Sequence, residues 1–173
     1  MTQLTLSLGS NQNADYHIRQ ALTGLQRLFG PLTLSSVFES EAVGFDGSNF
    51  LNMVVAADTT MPLKDISHSI KALEDANGRR RDVPRFSART LDIDILTFGD
   101  LQGEHCGMTL PRPEITRNAF VLWPMAQICG DRTDPHSGKT YQGLWQAYDK
   151  SCQRLWPVDF SWQGQQISAA TAS

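Results

Sequence analysis

Apolar and polar residues alternate through Leu4-Thr5-Leu6-Ser7-Leu8, which predicts a β-strand, because side chains along a strand point to opposite faces in turn. Gly9-Ser10-Asn11 then reads as a turn. The period changes next: Ile18, Ala21, Leu22, Leu25, Leu28 and Phe29 fall on one helical stripe, which Gly30 and Pro31 stop. Leu32 to Ser40 and Phe50 to Ala57 read as strands, joined by a loop containing Gly44, Gly47 and Asn49. A second helix is expected from about Pro62 to Asn77, with a stripe of Leu63, Ile66, Ile70 and Leu73 and a natural stop at Gly78. An arginine-rich loop leads from there into a last strand, Leu91 to Leu96, and Asn118 to Gln127 and Tyr141 to Tyr148 look helical. The order β-α-β-β-α-β predicts an α+β fold: a ferredoxin-like antiparallel sheet with helices packed on it and extra C-terminal helices. Residues 1–162 are expected to form a single domain, and 163–173, small and polar, a frayed tail.

Two carboxylates interrupt the last apolar run. Asp92 and Asp94 are two apart in the strand, so both project from one face while Leu91, Ile93 and Ile95 pack behind. Paired hard oxygen ligands on a rigid element suit Mg²⁺, which usually takes one or two carboxylates plus substrate phosphates. Arg79, Arg80, Arg81 and Arg89 stand just upstream, and guanidinium forks match phosphate oxygens. The segment therefore reads as a site for a polyphosphate–metal complex. Arg80 and Arg85 read as solvated surface residues.

Composition narrows the alternatives. A length of 173 residues suits one domain with a substantial core, and 40% apolar with 19% charged residues is ordinary for a globular protein. A net charge of −3 argues against a nucleic-acid-binding module, and no stretch approaches a membrane span. Cys106, Cys129 and Cys152 fit neither a disulfide framework nor a zinc site, and the first residues carry no basic-then-apolar leader, so a cytoplasmic protein is expected. Ser137-Gly138-Lys139-Thr140 resembles the end of a phosphate-binding loop, but the required upstream glycine is Thr133 and Pro135 interrupts, so it reads as a turn. His17, His68, His105 and His136 share no ligand spacing.

Leu8-Gly9-Ser10-Asn11 after the first strand, Phe50-Leu51-Asn52 opening the third, and Arg89-Thr90-Leu91-Asp92-Ile93-Asp94 in register with both make the chain resemble the 6-hydroxymethyl-7,8-dihydropterin pyrophosphokinases of folate biosynthesis, over roughly residues 3 to 130. The resemblance implies that a pterin hydroxymethyl oxygen attacks the β-phosphorus of MgATP, and AMP leaves. It further implies ATP as co-substrate and two Mg²⁺ ions held by Asp92 and Asp94, with Asp92 also close to the pterin hydroxyl. Arg79 and Arg89 join these aspartates as catalytic residues. Glu74, Arg81, Arg89, Ile95, Thr109 and Arg112 fall on the ATP side. Ser40, Val43, Phe50, Asn52, Asp92 and Phe120 fall on the pterin side, with the two phenylalanines sandwiching the ring and Asn52 reading its pyrimidinone edge. Small-molecule substrates are expected, and no obligate protein partner is evident.

Several positions depart from the family pattern, and they cluster on the nucleotide side. Arg112, in Leu110-Pro111-Arg112-Pro113, replaces a histidine; Asn118 and Gly107 replace arginines; Phe86 replaces a loop tryptophan and Ala88 a proline. Two readings follow. The chain is an active pyrophosphokinase, or it is a paralogue that keeps the pterin pocket for binding or regulation with transfer lost or altered.

Overall fold

The computed structural model describes residues 1–41, 48–78 and 90–170. Its centre is an antiparallel sheet built from β1 (Thr2–Ser10), β2 (Thr33–Leu34), β3 (Val37–Ser40), β4 (Phe50–Thr59), β5 (Asp92–Phe98) and β8 (Leu155–Val158), in the order β5-β1-β4-β3-β8 with β2 also on β4. The expected βαββαβ core is present. α1 (Ala14–Phe29) follows β1, and α2 (Leu63–Ala76) lies between β4 and β5.

The strands carry different layers on their two faces. Leu4, Leu6 and Leu8 of β1, Met53, Val55 and Ala57 of β4, and Ile93 and Ile95 of β5 form one buried cluster with Ile18, Leu22 and Leu25 of α1 and Ile66 and Ile70 of α2. Gly24 of α1 lets α2 come close, because a Cβ there would stand 2.7 Å from Leu73 Cδ1. On the opposite face Val54 and Leu96 pack under α4 (Ala119–Cys129), through Val121, Leu122 and Met125, with Ile115 of α3 (Glu114–Arg117) and Tyr141 of α5 (Tyr141–Ala147). The sheet is thus covered on both sides.

Four expectations need correction. Leu28 is exposed and leaves the α1 stripe, which is centred on Leu22, Leu25 and Phe29. The single strand expected over Leu32 to Ser40 is broken at Ser35 and Ser36: the Ser35 hydroxyl accepts from the Val54 N–H at 2.9 Å and so takes the place of a ladder partner. β6 (Gly103–His105) and β7 (Met108–Leu110) form an unforeseen hairpin, whose two-residue turn puts Cys106 at φ 51° and Gly107 at φ 78°. Such turns need positive φ at both positions, which favours glycine at 107.

The fourth correction concerns the tail. Residues 165–168 are not frayed but form β10 (Gln165–Ser168), paired with β9 (Phe160–Trp162) through a turn in which Gln163 and Gly164 both have positive φ. The hairpin covers α1: Arg19 lies 4.5 Å from the Phe160 ring centroid and donates to the Ser161 carbonyl, and the Trp162 indole donates to Thr23 Oγ1. Ser168 Oγ accepts from the Val37 N–H and donates to the Val158 carbonyl. The packed domain therefore runs beyond residue 162. Apolar burial and side-chain bonds to α1 hold a segment that looks too polar to pack. Among the described residues, no helix is long and apolar enough to cross a membrane.

Candidate active site

One row of residues crosses three strands on the α4 side of the sheet. Asn52 of β4 pairs with Gly9 of β1, and Gly9 pairs with Asp92 of β5. Strands lie about 4.8 Å apart, so Asn52 and Asp92 are separated by about 10 Å with a glycine between them. A Cβ on Gly9 would stand 3.4 Å from Asn52 Oδ1, so glycine keeps this floor low. Asn52 is buried, and its amide donates to Ser40 Oγ at 2.7 Å. Phe50 pairs with Ser40 and is half-buried, as is Phe120 in the first turn of α4.

Two residues along β5, Asp94 pairs with Ser7 on the same face as Asp92, while Ile93 and Ile95 point into the opposite core. The two carboxylates thus share a face, as alternation requires. Burial and then the neighbouring Asp92 charge push the Asp94 carboxyl up to about 6, against the pull of Arg112; Glu74 and Glu114 push the same way. Glu114 is a member of this acidic group that the sequence did not reveal, and its Oε2 is buried with no hydrogen-bond partner among the described residues. The concentration of negative charge fits a bound cation. Among the described residues no group of three His, Cys, Asp or Glu side chains forms a metal cluster.

β5 is the outermost strand, and two charged side chains bind its outward backbone. Glu74, buried at the end of α2, accepts from the Ile93 N–H at 2.9 Å. Arg112 donates through Nε to the Ile95 carbonyl at 3.0 Å and through its backbone N–H to the Leu96 carbonyl. The Arg112 Nη2 lies 3.8 Å from Asp94 Oδ1. Both residues were expected to face nucleotide; in the structure each holds the strand that carries the aspartates. Ile95 does not present its side chain to the site, because it is packed in the core behind, and its carbonyl is taken by Arg112. Thr109 donates to Glu104 on the neighbouring β6 strand.

Ser10 and Asn11 have roles that their turn composition did not announce. The Ser10 hydroxyl donates to the Thr90 carbonyl, just ahead of β5, and the Asn11 amide donates to the Ser48 carbonyl, just ahead of β4. One turn thereby fixes the chain on both flanks of the row. Asn118, where an arginine was expected, receives the Gln153 amide at 3.1 Å. Val43, Arg79, Arg81 and Arg89, together with Phe86 and Ala88, lie outside the described residues.

Residues 5–130 match the family described as 7,8-dihydro-6-hydroxymethylpterin-pyrophosphokinase (HPPK). A 2-amino-4-hydroxy-6-hydroxymethyldihydropteridine pyrophosphokinase of Synechocystis is 35% identical over 124 residues, covering 72% of this chain and 62% of the relative. Its Bacillus subtilis namesake is 35% identical over 128 residues, covering 72% of this chain and 76% of its own length. Among solved structures, a Plasmodium falciparum HPPK-DHPS chain superposes with a TM-score of 0.70 at 13% identity, covering 96% of this chain and 50% of its own. That last likeness supports the fold alone.

Proposed function

Since this chain belongs to the 7,8-dihydro-6-hydroxymethylpterin-pyrophosphokinase family, we propose that it transfers pyrophosphate from ATP to the hydroxymethyl group of a 6-hydroxymethyl-7,8-dihydropterin. The pterin oxygen forms a bond to the β-phosphorus, the bond from that phosphorus to the α-phosphate oxygen breaks, AMP leaves, and the hydroxyl proton is lost. The observation that carries this reading is the row Asn52–Gly9–Asp92. Its span of about 10 Å suits a flat bicycle with a short arm, read at one end by an amide and met at the other by a carboxylate.

In this reading Asn52, steadied by Ser40, donates to and accepts from the pyrimidinone edge, while Phe50 and Phe120 bound the ring's two faces. Asp92 and Asp94 hold two Mg²⁺ ions, which neutralise phosphate charge when bound. Arg79, Arg81 and Arg89 engage the triphosphate, where transfer depends on positioning and charge more than on covalent help. Glu74 and Arg112 keep β5 in register, so that both aspartates stay aimed at one point. The protein acts in the cytoplasm.

The direct test is incubation with MgATP and hydroxymethyl-dihydropterin, following AMP. AMP formed only when the pterin is present supports the proposal. Tight pterin binding without AMP would instead favour the binding-only paralogue.

A further inference from the structure

The segment from Tyr148 to Trp156 lies beyond the part of the chain that matches the family, yet it touches both walls of the proposed ring slot. On one side, Gln153 Oε1 accepts from the Ala119 N–H at 2.7 Å, and Gln153 Nε2 donates to Asn118 Oδ1 at 3.1 Å. The Tyr148 hydroxyl donates to the Arg117 carbonyl at 2.8 Å. These bonds fall on three consecutive residues at the α3–α4 junction, immediately before Phe120. On the other side, Leu155 pairs with Ser40 and Trp156 with Glu39, and Ser40 is the partner of the Asn52 amide.

Gln153 and Leu155 are two positions apart, with only Arg154 between them, a reach of about 7 Å at full extension. The first amides of a helix have no partner within it and are usually capped by a side chain just upstream. Asn118 occupies that position in α4 and makes no side-chain cap. Gln153 supplies the acceptor from thirty-four residues further along the chain. The first amide of α4 therefore takes its acceptor from the C-terminal segment, where the local side chain supplies none.

We propose that Gln153 is a positioning residue for the pterin. Through the Ala119 amide it holds Phe120 at a fixed separation from Phe50, the strand partner of Ser40, and residues 148–156 act as a strap that sets the width of the slot. This rests on the pterin reading of the site. The test is calorimetric titration of the parent, Gln153→Ala and Gln153→Glu, separately with 6-hydroxymethylpterin and with a non-hydrolysable MgATP analogue, beside thermal melts. Gln153→Ala should weaken pterin binding by about fivefold to tenfold, the worth of a lost helix cap, and leave nucleotide affinity unchanged. Gln153→Glu should recover pterin affinity, because its carboxylate accepts from the same Ala119 amide, suits a helix N-terminus, and can accept from the Asn118 side chain once that amide turns its NH2 toward it. Unchanged pterin affinity in Gln153→Ala would overturn the strap. Equal loss of both ligands with a lowered melting temperature, or no recovery in Gln153→Glu, would do so too. Failure of the parent to bind pterin would overturn the reading of the site itself, and the strap with it.

Discussion

On the side of the sheet facing α1 and α2, Leu8 stands between Met53 and Ile93; one residue further along β1, on the other side, Gly9 stands between Asn52 and Asp92. The same three strands supply both rows, and a single step along each exchanges three buried hydrophobes for a glycine, an amide and a carboxylate. The apolar row excludes water, and each large side chain buried there contributes about 1.5–3 kcal/mol. The polar face is costlier to fold: the Asp94 carboxyl, two residues beyond Asp92 on the same face of β5, is held in its less favoured charged form at neutral pH. Yet the apolar row fixes the polar one, since Asp92 and Asp94 flank Ile93 on a strand that the core anchors.

Adjacent substitutions should therefore fail in opposite ways. With Asp92 in its proposed role as a metal ligand, Asp92→Ala is expected to lower turnover about a thousandfold or more, since several kcal/mol of charge stabilisation would go with it, and with no fall in melting temperature. Ile93→Ala is expected to cost about 2–5 kcal/mol of stability in urea unfolding. An Asp92→Ala enzyme with normal turnover would break the contrast. Next in size, Asn52→Ala should weaken pterin binding by about 1–3 kcal/mol in calorimetry, with nucleotide affinity unchanged. Equal loss for both ligands would move Asn52 from the ligand to the fold.

The smallest effect concerns pH. A carboxyl whose folded pKa is raised contributes stability at low pH, present below its ordinary value of 3.8 and lost as pH rises through about 6. Ion-free protein should thus carry a penalty at pH 7 to 8 that Asp94→Asn removes. The variant should melt a few degrees higher than the parent there and coincide with it near pH 4. Mg²⁺ should stabilise the parent more at pH 7.5 than at pH 5. Identical melting of parent and variant across this range would show that Asp94 carries no such penalty.

The core face was legible in the sequence because burial is written as periodicity. The alternation in β1 and the stripes of α1 and α2 named Leu4, Leu6, Leu8, Ile18, Leu22, Ile66 and Ile70 directly. Asp92 and Asp94 were legible for the same reason, since two polar residues at strand spacing inside an apolar run must share a face. What pattern could not give were bonds between distant segments. Nothing near Ser10 or Asn11 announces Thr90 or Ser48, and nothing near α4 announces Gln153. The β9–β10 hairpin was missed because its turn, Gln163-Gly164, lacks the usual Asn or Asp and its strands are short and polar outside Phe160, Trp162 and Ile167.

The closure of β5 by Glu74 and Arg112 has a consequence for solubility. An outer strand with free N–H and C=O groups is a template on which another chain can add a strand, and proteins guard such edges with charge. Here the guards stand beside the acidic site, so Glu74→Ala would bare the Ile93 N–H on a strand rich in isoleucine and leucine. Such a variant would be prone to self-association as well as to lost activity. Light scattering during its assay would separate an enzyme that has lost a strand anchor from one that has been withdrawn into aggregates.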